Sequence, residues 1–73
     1  MYKDDIQTKA AFVQELSQLL KKFEIEDVGD LIYSNIDSDE KVTIFFRNGN
    51  YTEVNVHMDS LAAIVRDVMK ALQ

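Results

Sequence analysis

The chain has 73 residues, 47% hydrophobic and 29% charged, with no cysteine and a net charge of −5. That size holds one domain, residues 1–73, and the balance is that of a folded rather than a disordered chain. The missing cysteines exclude disulfide staples and thiolate metal sites, and the acidic balance repels phosphate backbones, so direct nucleic-acid binding is not expected. A chain this short buries only about 60% of its unfolded surface, so the core is thin. No apolar run reaches the roughly 18 residues of a spanning helix. The start, MYKDDIQTKA, lacks the apolar stretch of a signal peptide and is acidic where a transit peptide is basic. The expected setting is cytoplasmic, away from membranes.

From about Asp5 to Phe23 the spacing predicts a helix. Ile6, Ala10, Val13, Leu16, Leu20 and Phe23 recur at threes and fours, with Phe12 and Leu19 widening the stripe. Asp4 and Gln7 have the spacing of a capping box, and Lys21 and Lys22 suit the negative end of the helix dipole. An acidic connector, Glu24 to Asp30, follows, in which Gly29 is expected to take a positive φ. A strand is predicted over roughly Asp30 to Ile36, with Ile32, Ser34 and Ile36 facing inward. Asp37-Ser38-Asp39-Glu40 is a polar turn.

Lys41 to Val56 reads as a hairpin around Asn48-Gly49. Val42, Ile44 and Phe46 share one face of its first strand, and Thr52, Val54 and Val56 share one face of its second. A two-residue turn would pair Ile44 with Glu53 and Val42 with Asn55, mixing the faces. An odd loop restores parity, either Arg47-Asn48-Gly49 with Gly49 left-handed or Asn48-Gly49-Asn50. The last helix is predicted over about Ser60 to Leu72 with Asp59 as its N-cap. It would bury Leu61, Ile64, Val65, Val68 and Leu72, and turn Arg66, Asp67, Lys70 and Gln73 to water. The fold class is α+β: an α-β-β-β-α order, a three-stranded antiparallel meander with two helices packed on one face.

No constellation marks catalysis. His57 is the only histidine and has no identifiable orienting partner; His57 and Asp59 are too few ligands for a metal, and neither glycine belongs to a phosphate-binding loop. Asp37 to Asn48 fails the calcium-loop pattern at Lys41, Val42 and Asn48. No catalytic residue, metal or cofactor is expected, and the chain is read as a non-enzyme. The residues expected to meet a partner are Phe45, Arg47, Tyr51 and Glu53 on the open side of the hairpin, Tyr33 (with Leu31) beside them, and the acids Asp37, Asp39 and Glu40. Exposed aromatics beside arginine are the composition of interface hot spots.

The element order is similar to that of the double-stranded RNA-binding domain, whose second helix starts with a lysine-rich phosphate clamp. Here that place holds His57-Met-Asp-Ser-Leu-Ala, so the RNA-binding function does not carry over. The run Val42-Thr-Ile-Phe-Phe-Arg-Asn-Gly-Asn50 through Val56, then Asp59-Ser-Leu-Ala-Ala-Ile-Val-Arg-Asp-Val68, resembles small proteins of phages and prophages of Gram-positive bacteria. In size, charge and element order the chain also resembles anti-CRISPR inhibitors, some of which offer carboxylates to a nuclease's basic DNA-reading cleft. The resemblance implies a phage accessory protein that docks on, and inhibits, a basic nucleic-acid-handling protein. The alternatives are a structural homodimer through the open sheet face and, less favoured, a small enzyme.

Overall fold

The computed structural model describes residues 6–73. The first helix, α1, spans Ile6–Lys22; three strands, β1 (Val28–Ile36), β2 (Asp39–Phe46) and β3 (Tyr51–Asn55), form one antiparallel sheet in chain order; α2 spans Leu61–Ala71. The predicted α-β-β-β-α meander is the observed fold. The expected capping box at Asp4 lies outside the described residues.

One core joins both helices to the sheet. Val13 and Leu20 come from α1, Leu31, Val42 and Ile44 from the first two strands, Ile64 and Val68 from α2, and Leu72 from the end of the chain just past it. The buried stripe of α1 runs through Lys9, Val13, Ser17 and Leu20, so two polar residues lie within it. Ile6, Ala10, Leu19 and Phe23, expected inside, are exposed. The stripe turns because α1 packs along β1, where Ser17 meets backbone, and Lys9 reaches a carboxylate on β2.

The connector departs from expectation at Gly29. Positive φ angles belong to Glu24, Glu26 and Asp27 instead. Gly29 serves a close approach: a Cβ there would stand 3.3 Å from the Phe45 carbonyl oxygen, beside an irregularity in the β1–β2 register.

Both hairpin loops match strand twist to backbone conformation. The β1–β2 turn is only Asp37-Ser38, both at positive φ (51° and 69°), with Ile36 facing Asp39. Two left-handed residues make the tight turn that a right-twisted hairpin favours. The second loop has odd length: Phe46 N–H donates to Asn50 O (2.8 Å), Gly49 N–H donates to Phe46 O (3.1 Å), and Gly49 has φ 93°. This is the three-residue Arg47-Asn48-Gly49 alternative. It sets Ile44 opposite Thr52 and Val42 opposite Val54, keeping the apolar set on one face.

The inward face of β1 is the reverse of the expected one. Tyr33 faces Val42 and Leu31 faces Ile44 in register, and directly paired residues share a face. Leu31 is buried, Tyr33 half-buried, and Ile32 and Ile36 are exposed. The cap of α2 also differs. Ser60 Oγ accepts from Ala63 N–H (3.2 Å), so Ser60 rather than Asp59 is the N-cap.

Candidate functional site

The outer face of the sheet is built from alternate residues. Register places Asp30, Phe45 and Tyr51 in one row, Ile32, Thr43 and Glu53 in the next, then Ser34, Lys41 and Asn55. The Phe45 and Tyr51 rings lie 6.0 Å apart at 38°. Ile32 adjoins them diagonally, giving one end of the face three large apolar side chains that are 38–65% exposed. Ile36 lies at the far end, near the exposed Asp37 and Asp39. The predicted Phe45, Tyr51 and Glu53 therefore share this face. Arg47 is beside it in the loop, its Nη1 3.5 Å from Glu24 Oε1, a surface contact worth little energetically.

Tyr33 and Glu40, expected at the same surface, lie on the opposite side of the sheet. Glu40 is an even-numbered residue of β2, like Val42 and Ile44, so strand alternation sends it inward. It is 7% exposed. Its Oε2 accepts from Lys9 Nζ (2.7 Å) and Tyr33 OH (2.6 Å), and its Oε1 accepts from Met58 N–H (2.9 Å). His57 Nδ1 stands 3.9 Å from Oε1. Burial pushes the Glu40 carboxyl up, but the donors from Lys9, Tyr33 and Met58 outweigh it and hold the group at about 2. Burial and the adjoining carboxylate raise the Tyr33 phenol. A carboxylate held so low is a poor proton acceptor near neutral pH, and its oxygens are already engaged. The arrangement ties α1, β1, β2 and the β3–α2 junction together.

Two further polar features escaped the sequence reading. Ser17 Oγ donates to Asp30 Oδ1 (2.8 Å) and accepts from Leu31 N–H (2.9 Å), fastening α1 to β1. Both Ser17 and Lys9 lie within about one-sixth of a helical turn of the Val13 direction, which a helix wheel would have flagged. At the start of α2, Asp59 Oδ2 is buried without a donor. Burial and the adjoining Asp67 raise the Asp59 carboxyl, while the contact with Asp59 and then Arg66 lower Asp67, which was expected to face water and is half-buried. Two carboxyls form a hydrogen bond only when one carries a proton, so this Asp59 oxygen is unsatisfied wherever both carboxyls are ionised.

Among the described residues, no group of three or more His, Asp or Glu side chains converges to hold a metal ion, and no helix is long and apolar enough to cross a membrane. A groove lined by Gln7, Phe12, Glu15 and Leu61 contains neither His57 nor Glu40. Compared with protein-family models, curated proteins and solved structures, the chain has no match.

Proposed function

We propose that the chain is a non-catalytic protein-binding module that docks, in the cytoplasm, on a partner with a basic surface. The observation that carries this reading is the uncovered sheet face, where Ile32, Phe45 and Tyr51 sit beside Glu53, with Asp37 and Asp39 at the far end. An aromatic centre with a charged rim is the anatomy of an interface hot spot, and a net charge of −5 favours a positive partner. The partner class, a nucleic-acid-handling protein opposed by a phage accessory factor, draws its support from the charge and from the resemblance to small phage proteins. Glu40 and Tyr33 have no part in this surface; Asp37, Asp39 and Glu53 supply its acids.

The test is capture by immobilised full-length chain from lysate of a Gram-positive host. The expected result is a basic nucleic-acid-handling protein, retained at low salt and released near about 0.5 M salt, where the screening length is a few ångströms. Phe45→Ser and Tyr51→Ser should each abolish retention while leaving the thermal transition nearly in place. Capture that ignores both substitutions removes the reading.

A homodimer through the same face is the second reading, favoured by Ile32, which replaces the expected Tyr33 and makes the patch more apolar. Sedimentation at high micromolar concentration decides it, since a monomer there excludes a stable dimer.

A further inference from the structure

The two edges of the sheet are treated differently. On β1, Leu31 N–H points away from β2 and is taken by Ser17 Oγ from α1 and by Asp30 Oδ1. Ser17 is buried, so the middle of that edge is covered by helix. On β3, hydrogen bonds at both ends fix which groups face β2: Phe46 N–H to Asn50 O, and Val56 N–H to Glu40 O. Alternation then turns the N–H and C=O groups of Tyr51, Glu53 and Asn55 to the outside. Among the described residues nothing pairs with them, and all three residues are exposed.

The usual protections of an edge strand are sparse here. β3 has no proline, no lysine and no irregularity in its register with β2; five residues and one charge, Glu53, are all that blunt it. The space beneath the edge is also part-open. Val54 is half-buried although its partner Val42 is fully buried. Of the two helices, α2 is the one that packs on β3. Val65 and Met69, both half-buried, lie on the Leu61 flank of the Ile64–Val68 ridge, the flank that shares a groove with Phe12 of α1.

We infer that β3 is a strand-accepting edge, and that its occupant is an extended segment of a basic protein partner, added as a fourth strand. Its backbone would pair with the outward N–H and C=O groups of Tyr51, Glu53 and Asn55. A lysine or arginine on its outer face would meet Glu53, and an aliphatic residue on its inner face would cover Val54. Main-chain pairing supplies affinity and the alternate side chains supply selection. A second copy fits worse: antiparallel pairing centred on Glu53 would set like charges opposite each other, and each chain carries −5. The inference rests on the protein-binding reading above and specifies how the partner engages.

The test uses the full-length, isotopically labelled chain and an eight-residue peptide of alternating lysine and valine, acetylated and amidated. NMR should show hydrogen exchange at the Tyr51, Glu53 and Asn55 amides slowed at least about tenfold at saturation, with the amides of β1 unchanged. A peptide N-methylated at alternate positions keeps the charge but loses one edge's donors, and should bind at least about tenfold more weakly. Glu53→Pro removes an outward N–H without touching the β2 ladder and should have the same effect. Equal binding of the N-methylated peptide, no binding at millimolar peptide, or slow exchange of these three amides before any peptide is added would each overturn the inference. Edge protection that persists in Phe45→Ser, alongside host-protein capture that ignores that substitution, would sink the face reading and leave the edge standing.

Discussion

Glu40 is held by opposing effects whose balance sets its contribution. Removing a carboxylate from water costs several kcal/mol, and Lys9, Tyr33 and the Met58 amide offset that cost only while all three are present. Lys9→Ala leaves the charge buried beside two neutral donors. The expected loss is about 3–5 kcal/mol, comparable to the whole stability of many small domains. Urea denaturation should find that variant largely unfolded or nearly so. The pair Lys9→Met with Glu40→Leu should recover most of the loss, because two apolar side chains of similar size need no counterion. If the pair is no better than Lys9→Ala alone, the loss was one of packing rather than of charge.

At the scale of elements, the turn between β1 and β2 and the start of α2 carry separable costs. Ser38 holds φ 69° with a Cβ, which glycine would hold without steric penalty. Ser38→Gly should therefore stabilise the chain by about 0.5–1 kcal/mol, a rise of several degrees in the melting temperature. Gly49→Ala, at φ 93° in open space, should move it the other way by about 1 kcal/mol. For α2, Ser60→Ala should cost about 1 kcal/mol by removing the acceptor for Ala63 N–H. Asp59→Asn should do the opposite at any pH where both carboxyls are ionised. An amide supplies the N–H that the Asp59–Asp67 contact otherwise lacks, and the expected gain is about 1 kcal/mol by thermal melting.

For the whole molecule these groups set the dependence of stability on pH. Glu40 is held at about 2 in the folded chain against an ordinary 4.5, so folding favours its ionised form. Its contribution is fully present above the unfolded value and is lost as pH falls from about 4.5 to about 2. The shift corresponds to about 3 kcal/mol. Asp59 has the opposite sign: its raised carboxyl adds stability below the ordinary value of 3.8, and that stability is lost as pH rises through the folded one. Urea titrations between pH 2 and 7 should show Glu40 dominating the fall on acidification, since it is the more deeply buried. Glu40→Gln should flatten the acid limb, and Asp59→Asn should lift stability only above the folded Asp59 value. An unchanged acid limb in Glu40→Gln would mean that other carboxylates carry it.

By itself the sequence determined whatever is periodic within one element. The spacings of α1 and α2, the polar turn at Asp37 and the parity of Val42, Ile44, Val54 and Val56 gave the element order, the meander and the odd second loop. Tertiary structure decided what depends on a partner element. In β1 the two alternating sets are about equally apolar, and only pairing with β2 chooses Leu31 and Tyr33 for the core. That choice was within reach of a tight turn at Asp37-Ser38, which fixes Tyr33 opposite Val42. Lys9 and Glu40 lie 31 positions apart and each looks like surface alone; burial of either is tolerable only beside the other. The same dependence moved Tyr33 and Glu40 out of the candidate surface, put Ile32 into it, and left β3 as the edge without a helix across it.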